Sequence, residues 1–137
     1  STSGNEDCHV ILRGGKAPNF DTASIEAACR DLAQAGLAQR IMVDASHANS
    51  RKDPANQPSV CADVGRQVAG GDTRIFGLMV ESHIVAGRQD LVAGRELTYG
   101  QSITDGCIGW DDSIAVLESL AADVRERRRA VAAAEPS

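Results

Sequence analysis

Four polar residues stand at or just past the ends of short apolar or glycine-bearing runs: Arg13 in HVILRGG, His47 in IMVDASHANS, Glu81 in IFGLMVESH and Asp105 in YGQSITDGCIGW. A neutral imidazole together with one glutamate and one aspartate makes a mixed nitrogen and oxygen donor set. Such a set suits a divalent Mn, Fe, Co or Zn ion better than Ca. His47, Glu81 and Asp105 are therefore candidate metal ligands. The same residue types scattered through a domain also serve as surface or hydrogen-bonded groups, so the metal reading requires a fold that brings them together. Arg13 offers a planar cation that can grip phosphate or carboxylate with two parallel hydrogen bonds. Gly14 and Gly15 behind it would let backbone N–H groups approach an anion. The GxxxxGK[ST] spacing of a P-loop is absent, and a strand-ending turn with an exposed Lys16 is the competing reading of that segment. His83, two residues past Glu81, is assigned a supporting hydrogen bond rather than ligation, and His9 a structural role.

The elements that must position these residues follow from periodicity and punctuation. Residues 9–15 read as a strand. A helix follows, with Asp21 or Thr22 as N-cap and Gly36 just past its end. Residues 41–47 give a second strand. A second helix spans about 58–69, with Pro54 and Pro58 in its approach or first turn and Gly70-Gly71 closing it. Residues 75–82 give a third strand, and a Gly-rich connection of nearly thirty residues leads to a last helix behind an Asp111 cap, whose Ile114, Leu117, Leu120, Ala121 and Val124 share one face. Strands alternating with helices imply an α/β fold with a parallel sheet and right-handed crossovers. Side-chain alternation then puts Arg13 with Ile11, His47 with Ala45 and Val43, and Glu81 with Met79 and Gly77 on an inward face. Val10, Leu12, Leu78, Val80 and Asp44 fall on the face toward the helices. Three strands cannot close a barrel, so the chain is either a small open α/β domain or a piece of a larger barrel.

Length and charge narrow the function classes. The 137 residues suit one domain with a real core. A net charge of −5 argues against nucleic acid and against a membrane surface as partner, because both need clustered cations. The basic run Arg125–Arg129 reads as a solvated helix end, and residues 130–137 as a frayed tail. Cys8, Cys29, Cys61 and Cys107 contain no CxxC pair; Cys29 and Cys61 read as small buried apolar residues, and reduced thiols suit the cytoplasm. No stretch is long and apolar enough to span a bilayer. The STSG start suggests a processed or truncated chain.

Taken together, ILRGGK, MVDASHANS, GLMVESH and YGQSITDGCIGW agree in identity and spacing with one family. The chain resembles the type I 3-deoxy-D-arabino-heptulosonate 7-phosphate (DAHP) synthases, over roughly the last two-fifths of a family member. The resemblance implies a (β/α)8 TIM barrel of which this chain supplies the sixth, seventh and eighth strands with their helices. It implies condensation of phosphoenolpyruvate with erythrose 4-phosphate to DAHP and phosphate, the first step of the shikimate pathway. It also implies that His47 of SHANS, Glu81 of VESH and Asp105 of ITD are metal ligands, and that Arg13 of ILRGG binds phosphoenolpyruvate. His47 and Asp105 are candidates to move a proton during the reaction. The family's fourth ligand is a cysteine on the first barrel strand, which this chain lacks, so the chain alone is expected to be inactive, needing the N-terminal part of the barrel and, when complete, forming a homo-oligomer. The alternative is a non-catalytic metal-binding, anion-binding or folding fragment.

Overall fold

The computed structural model describes residues 1–5 and 7–134. Along them run β1 (Val10–Leu12), α1 (Thr22–Gln34), β2 (Ile41–Asp44), α2 (Gln57–Ala69), β3 (Ile75–Met79), β4 (Val85–Arg88), β5 (Gln101–Ser102) and α3 (Trp110–Ala134). β1, β2 and β3 form a parallel sheet in that order, so the α/β reading with parallel strands holds. The first crossover helix, α1, starts and stops where local chemistry dictates. Asp21 caps α1 by accepting from the backbone and hydroxyl of Ser24, bonds that hold its carboxyl below the usual carboxylate range. Gly36 closes α1 at φ +70°, which lets Leu37 N–H donate back to Leu32 at 2.9 Å.

Among the described residues the buried core clusters lie between the helices and one side of the sheet. Ile25 and Cys29 of α1 and Val64 and Val68 of α2 pack against Ile41, Val43 and Ile75, with Val124 of α3 at the edge. A continuation of this layer joins Ala45, Val60, Cys61, Ile108 and Val116. Cys29 and Cys61 are thus the small buried groups their helical setting suggests, and burial pushes the Cys61 thiol up to about 11. On the other face Ile11 is 46 % exposed.

Several expectations are corrected. The strands are shorter than alternation suggested, and the alternation in β2 was phased backwards. Val43 and Ala45 point to the helices, while Asp44, in register with Met79, shares the open face with Met42. The reason is that β2 stops at Asp44 and the backbone turns, reaching φ +46° at His47. A period of two cannot be carried through such a turn. The long connection is not a bare loop, since it holds the β4–β5 ribbon, with parallel pairing broken by a register shift. α3 begins at Trp110, so Asp111 lies in its first turn rather than capping it. Its buried face is Val116, Leu120 and Val124, whereas Leu117 is 63 % exposed. In the basic run, Arg127 is half-buried and donates to the carbonyls of Asp72 and Ile75, pinning α3 to the start of β3. α3 is helical through Ala134, and residues 135–137 of the expected tail lie outside the described residues.

Ile25 has no exposed surface, and Ile25→Ala is expected to lower the unfolding free energy by about 2–5 kcal/mol in urea titrations, the range for an unfilled core cavity. A second prediction concerns acid. Arg74 grips both oxygens of Asp72 and also pairs with Glu26 of α1, and these hydrogen bonds hold the Asp72 carboxyl below its ordinary value. A carboxyl lowered in the folded state stabilises the fold above its unfolded value of about 3.9 and loses that contribution as pH falls through the folded one. Unfolding free energy should therefore drop below about pH 4, and Asp72→Asn should be less stable at neutral pH and show a shallower acid dependence.

Candidate metal centre

The carboxyl ends of the three parallel strands open on a cleft of about 380 Å³, lined by Arg13, Ser46, His47, Lys52, Glu81 and Asp105 among others. A larger cleft of about 600 Å³ lies at the opposite end of the strands beside His9, Leu37 and Phe76. Among the described residues it gathers no acid cluster, so the chemistry selects the smaller one. Potential ligand atoms of His47, Glu81 and Asp105 all lie within 4.8 Å of one another. His47 Nε2 and Glu81 Oε1 are 3.7 Å apart, a separation that two donors about 2.1 Å from one ion can span. The three residues singled out from sequence are thus brought together, and their donor set fits a divalent transition ion.

Glu81 and His47 are positioned by residues whose role was not legible beforehand. Gln57, fully buried at the start of α2, accepts from Glu81 N–H at 2.8 Å and donates to Glu81 C=O at 3.0 Å, mimicking a strand partner just past β3. Ser46 donates its hydroxyl to Glu81 Oε2 at 2.5 Å, leaving Oε1 toward His47. Asp44 lies 2.8 Å from His47 Nδ1 through Oδ2, and its Oδ1 accepts from Ser46 N–H at 2.8 Å. Buried Asn49 donates to the carbonyls of Leu12 and Asp44 and accepts from Asn19 N–H. A polar side chain in a buried turn next to a strand end was the available signal, because such ends leave backbone groups that must be paired.

Arg13 is exposed at the mouth of the same cleft and makes no ion pair among the described residues, so its guanidinium can take an anion. The glycines behind it do not make an anion cradle. Gly14 N–H donates to Asn19 Oδ1 and Gly15 N–H to Ala17 C=O, so both are spent internally. The turn reading of that segment is the correct one. Gly14 is required sterically, since a Cβ there would sit 2.7 Å from the Ala48 Cβ, with φ at +76°. His83 stays out of the cluster, its Nδ1 accepting from Ile84 N–H, and His9 packs edge-on against Phe76. Cys107 is half-buried beside Asp105, its thiol raised chiefly by burial.

The arrangement agrees with what the chain resembles across its length. The DAHP synthetase I family matches residues 1–118. A phospho-2-dehydro-3-deoxyheptonate aldolase of Haemophilus influenzae is 56% identical over 131 residues, 95% of this chain and 36% of that protein. The Phe-sensitive phospho-2-dehydro-3-deoxyheptonate aldolase of Escherichia coli is 53% identical over 128 residues, 93% of this chain and 37% of that one. The structure of the phospho-2-dehydro-3-deoxyheptonate aldolase from Francisella tularensis superposes with a TM-score of 0.86 at 43% identity, covering 92% of this chain and 37% of that one. The chain therefore spans little more than a third of the length of the relatives it matches. With the family match running unbroken through all four polar residues at the cleft, the chain belongs to the DAHP synthetase I family.

Proposed function

We infer that this chain is the sixth-to-eighth-strand portion of a (β/α)8 barrel that condenses phosphoenolpyruvate with erythrose 4-phosphate to DAHP and inorganic phosphate, the first step of the shikimate pathway. The observation that carries the reading is the convergence of His47, Glu81 and Asp105 beside Arg13, at the strand ends where barrel enzymes place their chemistry. Helices on one face and a half-exposed Ile11 on the other also favour a barrel segment over a doubly wound sheet, which is covered on both faces.

His47, Glu81 and Asp105 would hold a divalent Mn, Fe, Co or Zn ion, which when bound supplies Lewis acidity toward the aldehyde oxygen of the sugar phosphate. Arg13 grips the phosphoenolpyruvate anion and holds its methylene carbon toward the aldehyde carbon, where the new carbon–carbon bond forms. Water then adds to the former enol carbon of phosphoenolpyruvate and phosphate departs. The transferred protons have two candidate carriers at the cleft, His47 and Asp105. The family's cysteine ligand belongs to the portion of the barrel this chain does not span, so the isolated chain lacks a complete ligand set and is inactive. Four unpaired cysteines suit a cytoplasmic enzyme.

In the complete barrel, His47→Ala should lower condensation activity by more than about 100-fold by removing a ligand. Activity within a few-fold of the parent would refute the assignment. Arg13→Ala should raise KM for phosphoenolpyruvate more than KM for erythrose 4-phosphate in steady-state assays, and equal rises would exclude its proposed contact. Mn²⁺ calorimetry separates the enzyme reading from a non-catalytic metal-binding fragment. The complete barrel should bind far more tightly than the isolated chain, and equal affinities would favour the fragment reading.

A further inference from the structure

Asp44 is 3 % exposed, and among the described residues its only ionisable partner is His47. No Arg or Lys offsets its charge there. A buried carboxylate in that position is costly unless something compensates it. Its Oδ1 is taken by Ser46 N–H and its Oδ2 faces His47 Nδ1 at 2.8 Å. A carboxylate oxygen at that distance from a ring nitrogen is suited to accept from it, so the contact matches the tautomer with the proton on Nδ1. In that tautomer Nε2 keeps its lone pair, 3.7 Å from Glu81 Oε1, while the Ser46 hydroxyl occupies the other Glu81 oxygen. Two electron-pair donors at that separation can share one cation.

We propose that Asp44 is a positioning residue of the metal centre, holding the proton on His47 Nδ1 so that Nε2 is presented to the ion together with Glu81 Oε1. The proposal rests on the metal-centre reading above. Through the imidazole, Asp44 also lends negative charge to the donor nitrogen, which strengthens its bond to a divalent ion. Its place explains why β2 ends on a buried acid facing the open side of the sheet, where an apolar residue would pack without cost.

Asp44→Asn is the informative change because it keeps the shape. With its amide oxygen accepting from Ser46 N–H, the new NH₂ group faces Nδ1 and favours the tautomer protonated on Nε2, which cannot ligate. Mn²⁺ affinity of the complete barrel, measured by chelator competition, should fall about 10–100-fold in Asp44→Asn. The thermal midpoint without metal should stay near that of the parent. His47→Ala is measured alongside. Loss of binding in His47→Ala with Asp44→Asn unchanged within about twofold would overturn the role of Asp44 alone. Binding unchanged in His47→Ala would instead remove the metal-centre reading on which it rests. Should Asp44→Asn fail to fold, nitrogen-15 NMR of the parent without metal decides, with the His47 signals assigned by their loss in His47→Gln. A proton on Nδ1 with bare Nε2 supports the proposal, and the opposite tautomer overturns it.

Discussion

The side-chain amide of Asn49 donates to the carbonyls of Leu12 and Asp44 while its oxygen accepts from Asn19 N–H, so one buried residue joins the end of β1, the end of β2 and the approach to α1. Parallel strands stop pairing at their ends, and the carbonyls left there must find partners or forfeit the free energy of a buried unmade hydrogen bond. Asn49 resolves that problem for two strands at once, and in doing so fixes the turn that carries His47. Gln57 does the equivalent for β3 by pairing with both backbone groups of Glu81. The cleft therefore takes its geometry from backbone satisfaction. Its candidate ligands sit outside the strands, yet the segments that carry His47 and Glu81 are each tied to the sheet by a buried amide.

Much of this was legible in the sequence, for identifiable reasons. Element order, the caps at Asp21 and Gly36 and the burial of Cys29 and Cys61 follow from strong local signals, and the structure has them. His47, Glu81 and Asp105 were legible as a trio because their residue types share one chemistry. What failed was anything that depended on the chain leaving regular structure. The β2 faces were inverted because alternation was counted back from a residue at positive φ. β4 and β5 were missed because glycines interrupt a short, half-exposed ribbon with no clear period. On α3, Leu120 and Val124 of the expected face do pack against the core, but Leu117 lies in solvent and Val116 is buried instead, since sequence alone does not say which apolar stripe meets α2. Asn49, Gln57, Ser46 and Asp44 were opaque for a different reason. The worth of Asn49, Gln57 and Ser46 lies in contacts with residues up to 37 positions away, which no local pattern encodes, and that of Asp44 in a turn that brings it against a ring three residues on.

Stability and chemistry meet on the same side of the sheet. The helices bury one face, and the other, with Ile11 half-exposed, needs apolar cover. Its upper rim bears His47, Glu81 and Asp105. In the proposed barrel, the strands that would shelter Ile11 are also those that would bring the remaining ligand and the further anion-binding side chains. Completion of the core and completion of the site are then a single event.

The turn from His47 to Lys52 depends on its surroundings for its shape. His47, Arg51 and Lys52 all adopt positive φ, a conformation costing about 1–3 kcal/mol each for residues with a side chain. Left to itself, that hexapeptide would not choose this path. It is held by Asn49 reaching β1, by Asn56 donating to Ser50 C=O and by Ala48 nested on Gly14. The imidazole therefore owes its place to residues outside the turn as much as to the turn's own hydrogen bonds.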